Sequence, residues 1–138
     1  MPFAAGGTTD VSARLLGAAI ERELGASVQV VNRPGATTQI GATELARARP
    51  DGLTLGLMSL PSLAMTYLDA ERRAPYDRAA FTPIAHFTSD ANMLAVQAGS
   101  RFRNVRDLVE AARAEPRRVR IGTVGLMSNA HLPGVALE

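Results

Sequence analysis

Two hydrophobic periods alternate along this chain, and each change of period is marked by glycine or proline. Val28, Val30 and Val31 form a short β-branched run that ends in the turn Asn32-Arg33-Pro34-Gly35. Leu53 to Met58 and Val119 to Val124 are further strand-like runs, and Phe81 to Phe87 and Met93 to Val96 read as extended segments. Between them lie segments of helical period. Val11, Leu15, Ile20 and Leu24 share one face of a helix that Thr8, Thr9 or Asp10 can cap and Gly25 can end. A second helix is expected from Gln39 to Ala48, stopped by Pro50-Asp51-Gly52. A short one follows at Leu63 to Leu68, an amphipathic one at Val105 to Ala114, and a last one begins near Asn129. Strands that alternate with helices predict an α/β fold, a doubly wound and mainly parallel sheet. The 138 residues, 46% of them apolar, are enough for one compact domain or one lobe of something larger.

Two residue types are missing, and their absence excludes whole classes of chemistry. There is no Cys, which removes thiol nucleophiles, disulfides and thiolate metal sites. There is no Lys either, since all 15 basic residues are Arg, and that removes Schiff-base chemistry and the lysine of a phosphate loop. The net charge of +2 comes from arginines scattered along the chain. The densest group, Arg117, Arg118 and Arg120, has no aromatic neighbour for base stacking, so it reads as a solvated strand edge and not as a nucleic-acid surface. No run approaches the ~18 apolar residues of a membrane span. The opening Met1-Pro2-Phe3 leads straight into a glycine pair and does not read as a leader sequence. Both ends read as the edges of a fragment.

Chemistry concentrates at two strand-to-helix junctions. In Phe3-Ala4-Ala5-Gly6-Gly7-Thr8-Thr9-Asp10, two glycines let backbone N–H groups turn inward, and the following helix aims its positive dipole end at the same place. That is an anion site on paper, although a tight turn with an ordinary N-cap accounts for the same residues. Asp10 reads first as a cap and dipole partner, not as a catalytic acid. Thr123-Val124-Gly125-Leu126-Met127-Ser128-Asn129-Ala130-His131 repeats the logic, with His131 either a donor to a carboxylate or a half-exposed surface residue. His86, in an apolar run, reads as structural. Two histidines with no shared spacing make no metal site, no cofactor motif occurs, and no Gly-x-Ser-x-Gly elbow supplies a nucleophile.

Taken in order, a set of short motifs resembles one family. Pro2-Phe3-Ala4-Ala5-Gly6-Gly7 with Asp10 and Arg14 comes first, then Asn32-Arg33-Pro34-Gly35-Ala36, Ile40-Gly41-Ala42 and Pro50-Asp51-Gly52-Leu53-Thr54-Leu55. Phe81-Thr82-Pro83-Ile84-Ala85, Val105-Arg106-Asp107-Leu108, Ala114-Glu115-Pro116, Ile121-Gly122-Thr123-Val124-Gly125 and Ser128-Asn129-Ala130-His131-Leu132 complete the run. This resembles the substrate-binding receptor of tripartite tricarboxylate transporters, the Bug family of periplasmic proteins.

The resemblance implies a two-lobed receptor of the periplasmic-binding-protein type II fold, present here as roughly its first half. Residues 1–97 would belong to the first lobe and 98–138 would begin the second. It implies capture of a small di- or tricarboxylate without catalysis or cofactor, and delivery to the membrane components of the transporter. The ligand-facing residues it implies are Phe3, Ala5, Gly6, Gly7, Thr8 and Asp10, then Gly35, Thr38 and Gln39, then Ser59 and Ser62. In the second lobe they are Thr123, Gly125, Ser128 and His131. Two departures add bulk near the cleft: Thr37, Thr38 and Gln39 stand where the family usually has two glycines and Asn, and Met58-Ser59-Leu60-Pro61-Ser62 replaces a Gly- and Ser-rich loop.

Two other readings are compatible with the residues. A small α/β enzyme could use the same helix-terminus site on an anionic metabolite, although no acid–base pair stands out. A fragment could also fold by homo-oligomerisation or domain swapping, with no binding activity of its own.

Overall fold

The computed structural model describes residues 1–123, 128 and 130–135. The chain divides into two compact units, Met1–Ile84 and Ala85–Glu138.

In the first unit α1 spans Thr8–Leu24, α2 Gln39–Arg47 and α3 Ser62–Leu68, followed by single 3-10 turns at Ala70–Arg72 and Arg78–Ala80. The bounds of α2 and α3 and the end of α1 lie within a residue of those expected from the sequence, and α1 starts one to three residues earlier than a cap at Thr8, Thr9 or Asp10 implies. Gly25 ends α1 in the left-handed conformation, φ 64°, with its N–H returned to Glu21 O. The expected side-chain cap of α1 is absent: Gly7 occupies the N-cap position and no hydroxyl or carboxylate caps it.

The helices pack on the segments read as strands. Gly17 of α1 lies against Val28 and Val30, where an added Cβ would stand 3.2 Å from Val28 Cγ1. Gly41 of α2 lies on Pro2 and Arg33; a Cβ there would meet Pro2 Cα at 2.8 Å and Arg33 O at 2.9 Å, so only glycine permits this approach. The packed interior is thin. Ala42 and Tyr76 are the buried apolar residues described for this unit, with Tyr76 edge-on to Tyr67 at 6.5 Å and to Phe81 at 5.4 Å between ring centres. Burial raises the pKa of the Tyr76 hydroxyl.

Among the described residues no strand ladder forms, in contrast to the sheet expected from the alternating pattern. One parallel register is nonetheless present. The Met1 amine donates to Val31 O at 2.9 Å and Arg33 N donates to Met1 O at 2.7 Å, which sets Met1 opposite Asn32 in the parallel pattern. Among the described residues the other strand-like runs of this unit form no ladder. Leu53 is accordingly 84% exposed.

In the second unit α4 spans Val105–Ala114 and α5 Leu132–Val135. α4 is closed by a reciprocal cap. Asp107 N donates to Asn104 Oδ1 at 3.0 Å, and the Asp107 carboxylate accepts from Arg103 N at 2.7 Å. Leu108 is its buried residue. It lines a groove of about 490 Å³ together with Leu94, Val96 and Ile121, at which Arg118 and Arg120 also lie.

Candidate functional site

The glycine pair and Asp10 form a single device. Asp10 sits in the first turn of α1, 3% exposed, and its two oxygens receive four donors. Gly6 N donates to Oδ2 at 2.9 Å and Arg14 Nε to Oδ2 at 3.0 Å. Arg14 Nη2 donates to Oδ1 at 3.1 Å and Asn32 Nδ2 to Oδ1 at 2.9 Å. The Arg14 bonds, then those from Gly6 and Asn32, lower the carboxyl pKa from 3.8 to about 2 against the opposing effect of burial. Asn32 Nδ2 also donates to Phe3 O at 3.0 Å, so one amide ties the start of this loop to the end of the Val28–Val31 run.

The consequence is geometric. Met1 opposite Asn32 means that the loops 4–7 and 34–38 leave the same carboxyl end of a parallel pair, and each leads into a helix. Neither α1 nor α2 has a side-chain cap for its first-turn amides, which have no intrahelical acceptor; in α2 the first of them, Gln39 N, is taken by Ala36 O at 3.2 Å. Two positive helix ends without a side-chain cap make one edge suited to an anion. Asp10 does not oppose this, because its charge is already met by Arg14.

The 35–39 loop reaches its position through strained backbone. Ala36, Thr37 and Thr38 have φ of 46°, 50° and 77°. Thr38 is buried and its Oγ1 has no hydrogen-bond partner. The Thr66 hydroxyl donates to Ser62 O at 2.8 Å and reaches Thr37 O at 3.4 Å, which sets the start of α3 beside this turn. Among the described residues no three acidic or histidine side chains gather as a metal would need, and no helix is long and apolar enough to cross a membrane.

Comparison with known proteins places residues 12–138 in the tripartite tricarboxylate transporter family receptors. The chain belongs to this family. It is 32% identical over 139 residues to the UPF0065 protein in the tcbD-tcbE intergenic region of Pseudomonas sp. (strain P51), covering 99% of this chain and 40% of that relative. It is 31% identical over 133 residues to protein BugT of Bordetella pertussis, covering 96% of this chain and 41% of that relative. The chain thus spans about 40% of the length of the curated relatives it matches. No solved structure matches it. The receptors of this family have a periplasmic-binding-protein-like fold.

Among the residues that the family resemblance assigns to the ligand, the first unit brings together two groups. Phe3, Ala5, Gly6, Gly7, Thr8 and Asp10 lie on the α1 loop, and Gly35, Thr38 and Gln39 on the α2 loop. Within the first group Asp10 is inward and saturated, whereas Ala5, Gly6, Gly7 and Thr8 are exposed. The left-handed glycine of the pair is Gly6, at φ 86°; Gly7 is extended at φ −77°. Gln39 Nε2 is held by Arg72 O at 3.1 Å. Ser62 is buried at the start of α3, and Ser59 O accepts the Leu63 N–H at 3.0 Å. In the second unit Ser128 is buried and both its carbonyl and its hydroxyl accept from His131 N, at 3.0 and 3.2 Å. Thr123 is half-buried, and Gly125 lies outside the described residues.

Sequence reasoning quoted Arg14 and Asn32 as family motif residues without giving either a place in the site, and did not single out Arg72. The Asp10 to Arg14 spacing of four, one helical turn, was a usable signal for their ion pair. Nothing in the sequence links Arg72 to the α2 turn, 36 residues away, where its Nη1 donates to Ala36 O at 3.3 Å.

Proposed function

We propose that this chain is the ligand-gripping part of an extracytoplasmic receptor that captures a small carboxylate for a tripartite tricarboxylate transporter. The observation that carries this reading is the pairing of two uncapped helix N-termini, α1 and α2, at one carboxyl edge fixed by the Met1–Asn32 register. A carboxylate oxygen accepts from such amides without any cationic side chain. Family membership and the relative named BugT support a solute-binding role. The protein acts in the periplasm, without catalysis or cofactor, and hands its ligand to the membrane components of the transporter.

In the complete receptor the strand-like runs pair into the doubly wound parallel sheet. The first lobe extends to about Gln97 and the second begins at residue 98. Thr123, Gly125, Ser128 and His131 supply contacts from that second lobe. A chain with only part of the cleft holds its ligand weakly. Thermal-shift and calorimetric titrations with citrate and malate test the reading. Stabilisation grows as RT ln(1 + [L]/Kd), about 2.7 kcal/mol at 100 times Kd. No shift with any di- or tricarboxylate at tens of millimolar, on the order of a weak Kd, refutes binding by this chain.

A further inference from the structure

The turn from Gly35 to Gln39 holds the most strained backbone in the first unit, and one residue fastens both of its ends. Ala36, Thr37 and Thr38 all lie in the left-handed region, at φ 46°, 50° and 77°. That region is unfavourable for β-branched side chains, and such strain persists only when surrounding contacts over-determine it. Thr38 adds a second unfavourable feature, a buried hydroxyl with no partner.

The restraint comes from Arg72. Its Nη1 donates at 3.3 Å to Ala36 O, the carbonyl that also accepts Gln39 N at 3.2 Å to close the turn. Its own carbonyl accepts Gln39 Nε2 at 3.1 Å. The side chain is set in turn by Asp69, whose Oδ2 accepts Arg72 Nε at 3.2 Å and whose Oδ1 accepts Glu71 N at 3.1 Å. The Arg72 and Asp69 side chains are only 21% and 24% exposed, so this pair is better fixed than a mobile surface ion pair.

We propose that Arg72 is a positioning residue for ligand capture: it clasps the Ala36–Gln39 turn in its left-handed form and thereby keeps the first-turn amides of α2 aimed at the carboxylate. This inference rests on the carboxylate-receptor reading above. It differs from a direct ionic contact, because the guanidinium acts through the backbone of the turn and not through its charge.

The test uses the 138-residue chain, with Arg72→Met to keep the aliphatic stem and remove the donors, and citrate as the probe. Hydrogen exchange of amides 36–42 reads the turn, and calorimetry reads affinity. Arg72→Met speeds exchange in 36–42 by about tenfold and weakens citrate by about tenfold, while the chain still melts cooperatively. Arg72→Lys, which keeps one donor for Ala36 O, restores part of both. In a Thr37→Gly/Thr38→Gly background the affinity loss caused by Arg72→Met shrinks to less than about threefold, because glycine holds the turn without a clasp.

Unchanged exchange in 36–42 overturns the proposal, as does faster exchange with citrate affinity unaltered. An equal loss of affinity in the glycine background also overturns it, since that result means direct contact with the ligand. If the unsubstituted chain binds no citrate, the carboxylate reading fails and takes the ligand half of this inference with it; the exchange data still decide whether Arg72 holds the turn. If Arg72→Met does not fold, Arg72→Lys against the unsubstituted chain carries the same comparison.

Discussion

Asn32 is joined to Asp10 across 22 residues of sequence by a 2.9 Å bond from its Nδ2 to Asp10 Oδ1. The same amide nitrogen holds Phe3 O, and Arg14 Nη2 closes the ring on Asn32 Oδ1 at 3.2 Å. The glycine loop is therefore not a free hinge. It is fastened at Phe3 and at Gly6, and the amides beyond Gly6 project from a fixed base.

The first prediction follows from the sign of the Asp10 shift. Its carboxyl titrates at about 2 in the folded chain against 3.8 ordinarily, so the folded state holds the charged form better than the unfolded state does. The stability this contributes is complete above the unfolded value and is lost as pH falls from roughly 4 towards 2. Melting temperature followed from pH 6 to 2 shows that loss in the native sequence. Asp10→Asn melts lower at neutral pH and shows a shallower fall below pH 4. An identical acid limb in both proteins would mean that the Arg14, Gly6 and Asn32 bonds do not persist in solution.

Much of this arrangement was legible in the sequence, but unevenly. Helix positions came through because periodicity and terminators are local: α4 ends at Ala114, just before the Glu115-Pro116 pair, and α1 ends at Gly25 as its composition demands. The glycine turn that leads into α1 was also local, carried by Gly6, Gly7 and the helix that follows. What sequence could not give was which glycine turns left-handed, since Gly6 and Gly7 are chemically identical. It also could not give the inward aim of Asp10, because that depends on Asn32 arriving from another element. Strand pairing failed for the same reason, as Leu53 and Leu55 have the pattern of a strand and no neighbour to complete it.

The second prediction separates the two glycines. Gly7 has an ordinary extended backbone, and a Cβ there meets only Ala4 O at 3.8 Å, so a side chain is accommodated. Gly7→Val leaves cooperative melting within about 1 kcal/mol of the native chain and abolishes citrate binding, because the isopropyl group covers the first-turn amides of α1. Gly6→Ala does the reverse. Its φ of 86° makes any Cβ strained, so stability drops by about 1 kcal/mol while folded molecules still bind. Calorimetry and denaturant unfolding on both variants decide this, and normal citrate binding by Gly7→Val would remove the α1 terminus from the site.

The third prediction concerns strain in the α2 turn. Replacing Thr38 with glycine removes a left-handed β-branched residue and a buried hydroxyl without a partner, each unfavourable by about 1 kcal/mol at the low end of its range. Against this, glycine adds about 0.4–1 kcal/mol of unfolded-chain entropy. The net is a gain of about 1 kcal/mol, read as a rise of several degrees in melting temperature. A fall in stability would show that the Thr38 side chain contributes packing that outweighs its strain.

The last prediction concerns self-association. Leu53, Leu55 and Leu68 are 84%, 55% and 67% exposed in the first unit, and Val31 at the end of the Met1-paired segment is 41% exposed. Burying apolar surface is worth about 25 cal/mol per Å², so leaving these side chains in water forgoes several kcal/mol that a partner surface can recover. Segments of strand-like composition outside a ladder also accept a neighbour's strand, and exchange between identical chains is the shortest route to one. The 138-residue chain is therefore expected as a dimer or larger species by light scattering at high concentration. Leu53→Lys with Leu55→Lys places two charges in the face that must be desolvated and shifts the population towards monomer. A monodisperse monomer of the native sequence across the concentration range would show that these exposed leucines remain solvated and that no strand exchange occurs.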